Sequence, residues 1–347
     1  MRRPDQSATR RPGRDDLALD ARKDQQYSLR ASASVDAKVR SYPSVSLSKA
    51  AFRCMMRFTN SAEIAGWVSN LHTLATTGRC AAPAFLKPYH LAMLAMVVRE
   101  RPVGIPLGNI QLPGPLQQYA CRMRLWNAID RPAPMEINEH DAAGRFVPLE
   151  PLRVRAETIV SAQKVAEMAR LYGADDQTIN SLEISLAETM ENCFAHSGRP
   201  SNLYGVACGQ SWRNGNLAQI ALVDRGMGVR DSLSENLSLA NRLMHENSCQ
   251  LATEFGVTGK PGKGHAGYGL ALTRQLMEQA GGRLFVFSGN EMFVSADAVT
   301  TTSTTPTTWN GTVVVLEWRI NRPLNVGDVY AKWPLPEGYT DDDFFDF

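Results

Sequence analysis

Apolar residues fall into helical and alternating patterns along the chain, and the strength of those patterns changes near residue 153. Residues 1–40 carry almost no large apolar side chains, so they lack the surface that would offset ordering entropy and are expected to be disordered. Over 62–74, Ile64, Trp67, Val68 and Leu71 recur on one side of a helix. A second helix is predicted over 89–99 and a third over 116–129, the latter with Leu116, Tyr119, Met123 and Trp126 near one face. Residues 102–110 read as a short strand or loop. This alternation suggests a small α/β unit over 41–152.

From about 153 the elements are clearer. Residues 155–172 read as a helix stopped by Gly173. Another helix follows Asp175 and Asp176, which suit a cap and the positive end of the helix dipole. It runs to about Ser197, with Gly198 and Pro200 as stop signals, and its stripe is Ile179, Leu182, Leu186, Met190, Cys193 and Phe194. Extended runs at 203–208 and 217–223, joined by the polar 213–216 turn, predict a hairpin. A long polar, Gly-rich segment comes next. A helix over 269–279 and strands over 283–287 and 312–320 complete the pattern, with the Thr-rich 300–308 tract expected as a solvated loop.

The chain has 347 residues, enough for two domains. We expect a disordered basic arm (1–40), a small α/β domain (41–152), a second α/β domain (153–322) and an acidic tail (323–347). The formal net charge of +2 gives no basic surplus for a general nucleic-acid binder. The charge is uneven: ten basic and six acidic residues lie in 1–40, and one Lys faces five acids in 331–347. The longest apolar run, 91–98, is half of a bilayer span. The N-terminus lacks an apolar signal core and holds five Asp before residue 25, so the expected location is cytoplasmic. Six cysteines without paired spacing are expected to be reduced and mostly buried.

Three segments carry candidate chemistry. Glu188, Asn192 and His196 are spaced i, i+4, i+8, so they share a helix face beside the apolar stripe. A carboxylate one turn before an amide suits a general base and an oxygen ligand for a hard cation such as Mg²⁺. The run 220–223 leads into Asp224, Arg225, Gly226, Met227 and Gly228, an acid at a strand's end followed by glycines that let backbone approach a flat ligand. Gly262, Lys263, Gly264, His265, Ala266, Gly267, Tyr268, Gly269 and Leu270 then lead into a helix, exposing N–H groups to a phosphate. A dinucleotide fingerprint is rejected because no buried strand precedes these glycines. A Walker A loop lacks its Gly-Lys-Ser/Thr, and the kinase signatures are missing.

In this order the three segments resemble the GHKL ATPases (gyrase, chaperone, histidine kinase, MutL), also called the Bergerat fold. Residues 186–196 look like the family's N box, 224–228 like its G1 box and 264–270 like its G2 box with the lid. Trp309, Asn310, Gly311 and Thr312 are similar to the closing Gly-Thr element. The resemblance covers about 153–320 and implies an α/β sandwich, a mixed sheet with helices on one face, that binds ATP with Mg²⁺. It implies that Asp224 accepts the adenine amine, supported by Thr312 through a water. Asn192 would ligate Mg²⁺, and Glu188 would activate the nucleophile. Gly226 and Gly228 would give the base clearance, while Gly264, Gly267 and Gly269 would cradle phosphates, with His196 and Leu270 also contacting the nucleotide. His265 departs from the Gly expected there, and Lys263 and His265 are either phosphate contacts or solvated lid side chains.

Among that family's branches, the Glu188–Asn192 pattern resembles both the hydrolysing members and the small bacterial serine-kinase-like anti-sigma factors, and His196 is more similar to the latter. No long dimerisation helix with a phosphoacceptor His precedes the ATPase segment. Segments within 83–148 are similar to STAS-like units, the alternative being a docking domain. The implied roles are an ATPase acting as a conformational regulatory switch, a serine/threonine protein kinase, or a non-hydrolysing ATP-gated scaffold. A protein partner and a homodimer are implied by resemblance only. The tail, 341–347, reads as a docking motif or a frayed end.

Overall fold

Asn60 starts the first helix by a reciprocal cap. Its side chain accepts the Glu63 N–H at 2.9 Å and the Glu63 carboxylate accepts the Asn60 N–H at 3.1 Å. The structure is a computed structural model that describes residues 57–78, 80–100, 114–135, 145–198, 201–261 and 267–334. The 1–40 arm, the 102–110 stretch, Lys263, Gly264, His265 and the acidic 341–347 segment lie outside the described residues.

In chain order the first elements are α1 (Ser61–Thr77), α2 (Pro88–Glu100), α3 (Gly114–Arg122) and α4 (Leu125–Ala128). Then come β1 (Phe146–Leu152), α5 (Thr158–Ala166), α6 (Asp176–Ala195), β2 (Gly205–Trp212) and β3 (Leu217–Asp224). The long polar, Gly-rich segment holds three short helices, α7 (Val229–Ser234), α8 (Ala240–His245) and α9 (Ser248–Leu251). The chain closes with α10 (Gly269–Gln279), β4 (Arg283–Ala296), β5 (Val299–Trp318) and α11 (Val326–Tyr330). The α/β class holds. The five strands form one sheet in the order β1-β2-β3-β5-β4, and every neighbouring pair is antiparallel rather than mixed.

A further expectation changes here. The 300–308 tract is part of β5, paired with β4 from Glu291↔Thr304 to Ala296↔Val299. Threonine's β-branch favours the extended backbone, and Asp297 and Ala298, both at positive φ, make the turn. The predicted hairpin of β2 and β3 forms as expected, with Asn216 left-handed at φ 47° and Gly205 paired to Asp224.

The sheet is covered on both faces, not one. Ile220 and Leu222 of β3 belong to a core shared with α5, α6, α7 and α10, whereas Ala221 and Val223 belong to a core shared with α1, α2 and α4. Alternation along a strand sends these neighbours to opposite faces, which explains why β3 reads as a nearly continuous apolar run. The greasy 91–98 run is a helix buried all round, each residue contributing to the second core. All described residues therefore lie in one compact unit, Lys49–Phe347, and the expected boundary near 152 runs through a shared sheet. The 323–347 tail also changes: Leu324 and Val329 are fully buried.

A buried polar cluster ties the N-terminal helices to the sheet. Glu317 of β5 accepts the Thr59 N–H at 2.7 Å, the Thr59 hydroxyl at 2.6 Å and the Gln219 amide at 2.6 Å, and Lys87 Nζ lies 3.5 Å away. Lys87 donates further to Thr59 Oγ1 and to the Arg57 carbonyl. With its donors and acceptors paired, the charge can stay buried. Among the described residues, no helix is long and apolar enough to cross a membrane.

Candidate functional site

The site is built on α6. Asp175 caps it by accepting the Thr178 N–H at 2.8 Å, and its stripe of Ile179, Leu182, Leu186 and Met190 sits in the core beneath the sheet. That burial turns Glu188, Asn192 and His196 toward one cavity of about 240 Å³. Glu188 is exposed at its rim, while Asn192 and His196 are half-buried. His196 is the C-cap residue, and its ring Nδ1 lies 2.7 Å from the Ser232 hydroxyl of α7.

Asp224 stands at the end of β3, where pairing with β2 stops. Its Oδ1 accepts the Gly226 N–H at 2.8 Å and the Thr312 N–H at 3.1 Å, and its carbonyl accepts the Trp309 indole N–H at 3.1 Å. Thr312 and Asp224 thus meet across adjacent strands, both lining the cavity. Burial pushes the Asp224 carboxyl up to about 6, with the Gly226 and Thr312 N–H groups opposing the rise.

The two glycines after Asp224 have different duties. Gly228 lines the cavity at φ +85°, a conformation that favours glycine. Gly226 does not line it. A Cβ there would collide with the His196 carbonyl, which also accepts the Met227 N–H at 3.1 Å. Gly226 therefore docks the loop on the C-terminus of α6 and is not a source of ligand clearance.

The opposite wall is the start of α10. Gly267, Gly269 and Leu270 line the cavity. A Cβ on Gly269 would come 3.0 Å from Glu188 Cβ and 3.7 Å from Asn192 Nδ2, so the helix begins directly on the Glu188–Asn192 face. Among the described residues no side chain caps this helix, and the N–H groups of a helix's first turn have no acceptor within the helix itself. Buried hydroxyls hold it in place: Ser185 and Thr273 are 2.8 Å apart, and Thr273 donates to the Gly269 carbonyl at 2.8 Å.

Nine of the predicted site residues thus share one cavity: Glu188, Asn192, His196, Asp224, Gly228, Gly267, Gly269, Leu270 and Thr312. Sequence reasoning missed several others. Ser232 and Thr258 carry no recognisable signal. Lys260, next to the cavity-lining Gly259, donates to the Ala195 carbonyl at 2.5 Å and so ties its own segment to α6; it was one cation among many. Thr189, which lines the cavity, did leave a trace, as a hydroxyl one turn after Ser185 inside an apolar stripe. Tyr330 lies in the segment expected to be tail.

Among the described residues there is no group of three or more His, Cys, Asp or Glu able to hold a metal. Asn192 offers a single amide oxygen, a donor type that suits Mg²⁺ when phosphate and water supply the remaining ligands. Of the cysteines, Cys121, Cys193, Cys208 and Cys249 are buried and Cys80 is half-buried, all as free thiols. No protein-family model matches the chain, and no curated protein matches it.

Proposed function

We propose that the cavity binds ATP with Mg²⁺ and that the protein is a GHKL-type ATPase whose slow hydrolysis drives a conformational regulatory switch. The observation that carries this reading is the meeting of three sequence-distant segments at one cavity. A half-buried acid lies at one end, and a carboxylate–amide pair beneath the start of α10 lies at the other. Asp224 accepts the adenine amine, with Thr312 fixing the carboxylate beside it. The first-turn N–H groups of α10 receive phosphate oxygens, which the helix dipole favours. Asn192 would supply an amide oxygen to hold Mg²⁺ with the phosphates, and the ion would offset their charge. Glu188 orients and deprotonates the attacking water.

The exposure of Glu188 at the rim favours one second reading, a serine/threonine protein kinase in which the same carboxylate activates a partner's hydroxyl. Under either reading the protein works in the cytoplasm with a protein partner, and nucleic acid and membrane play no part. The test is equilibrium binding of ATP and GTP to the full chain, with phosphate release followed in parallel. Binding of ATP over GTP that disappears in Asp224→Asn supports the reading, and full ATP affinity in that variant would remove it. Label moving from ATP to a protein instead of to water would select the kinase.

A further inference from the structure

The chain does not leave the fold after its last strand. The Leu324 N–H donates to Thr178 Oγ1 at 3.1 Å, and Ser181 Oγ donates to the Leu324 carbonyl at 3.2 Å while accepting the Val326 N–H at 2.9 Å. Gln279 of α10 donates to the Asn325 carbonyl at 3.0 Å and accepts its N–H at 3.1 Å. The segment is therefore fastened to both helices that form the Glu188 end of the cavity. It then delivers Tyr330, the last residue of α11, to the cavity wall beside Glu188, Gly269 and Leu270.

Tyr330 is also held from behind. Trp333 packs on it at 5.1 Å and on Phe255 and Tyr268 at 4.7 and 5.3 Å. Phe255 and Tyr268 stack on each other at 4.7 Å, next to the Gly256 N–H that donates to the Gly267 carbonyl at 3.2 Å. This aromatic cluster fixes the ring with little rotamer freedom left to lose on binding a ligand. Burial, and then the Glu188 carboxylate, raise the phenol above its ordinary range, so at neutral pH it is a protonated donor.

The cavity has two ends set by α6. Asp224 lies at the His196 end, where Gly226 abuts the His196 carbonyl. Glu188 is eight residues back along the helix, about 12 Å at 1.5 Å per residue. A nucleotide with its base on Asp224 extends its phosphates toward Glu188 and Tyr330. We infer that Tyr330 is a specificity-determining residue of this site, its hydroxyl donating to the terminal phosphate and so favouring a nucleoside triphosphate over a diphosphate. The inference rests on the ATP reading above and adds the selection among phosphate states.

The test is calorimetric binding of ATP, its β,γ-imido analogue, ADP and adenosine, with Mg²⁺, to the full chain and to Tyr330→Phe. A hydrogen bond to a charged oxygen predicts a loss of about tenfold or more for the two triphosphates. ADP and adenosine should keep their affinities within about twofold, since the rest of the site is untouched. Equal losses for all four ligands would mean that the ring only shapes the wall, and no loss would mean that the hydroxyl is idle; either overturns the inference alone. A wild-type chain that binds none of the four would remove the ATP reading and this inference with it.

Discussion

Gly269 presses on Glu188: a Cβ added to the glycine would meet the Glu188 Cβ at 3.0 Å and its Oε2 at 3.4 Å. The start of α10 and the acidic face of α6 thus sit at a separation that admits no side chain between them. Gly269→Ala forces the two apart by a few tenths of an ångström, while alanine itself is a better helix residue than glycine. The two effects oppose each other in stability, so the melting temperature should move by only a few degrees. The N–H groups and Glu188 both shift, however, and nucleotide affinity should fall by about tenfold or more. Calorimetric titration beside a thermal melt separates the two. Unchanged affinity would show that the helix start does not contact the ligand.

Asp224 predicts a pH dependence with a definite sign. Its folded pKa of about 6 lies above the ordinary 3.8, so the native state favours the protonated carboxyl. Its contribution to stability is complete below pH 4 and is lost as pH rises through 6. At 1.36 kcal/mol per pKa unit, the loss is on the order of 2–3 kcal/mol. Asp224→Asn keeps an oxygen to accept the Gly226 and Thr312 N–H groups while removing the titration. Thermal melts from pH 4.5 to 7.5 should fall more steeply for the wild type than for the variant. Parallel curves would place the loss on other groups.

The Glu317 cluster decides whether the chain unfolds as one unit. Glu317→Ala leaves the Lys87 ammonium, the Gln219 amide and the Thr59 donors buried without their acceptor. Stranding a buried charge costs about 3–5 kcal/mol. Replacing both charges, Lys87→Met with Glu317→Gln, leaves no unpaired ion and should cost less than the single change. Urea unfolding monitored by tryptophan fluorescence and by far-UV dichroism should give one coincident transition for the wild type. Two separated transitions would mean that α1 and α2 form a unit that unfolds independently.

That cluster also shows what the sequence could not reveal. Helical spacing located α1, α2, α6 and α10, and the order of Glu188, Asn192, Asp224 and Thr312 was enough to nominate the candidate site. Periodicity reports which face of an element is buried but not against what. The first helices therefore read as a separate domain, although their cores lie on the far face of the same sheet. The link between Gln219, Glu317 and Thr59 spans up to 258 residues, and nothing local in Gln219 marks it as the polar centre of an apolar strand. Tyr330 was hidden for a related reason: the acidic residues beyond it gave the whole segment a polar average, masking Leu324 and Val329.

Glu188 and Asn192, one turn apart on α6, should separate chemistry from binding. If Glu188 is the base, Glu188→Gln keeps the shape beside Gly269 and removes the proton acceptor. Turnover should fall by about 10²–10⁴-fold with ATP affinity within about threefold of the wild type. Asn192→Ala removes the amide oxygen assigned to Mg²⁺, so binding itself should weaken, and its Mg²⁺ dependence should flatten. Single-turnover phosphate release and titrations with and without Mg²⁺ read the two effects independently. Equal damage to binding in both variants would make the pair a structural face of α6. Full turnover in Glu188→Gln would remove the base assignment while leaving the cavity's role in binding intact, because Asp224 and the start of α10 are unchanged.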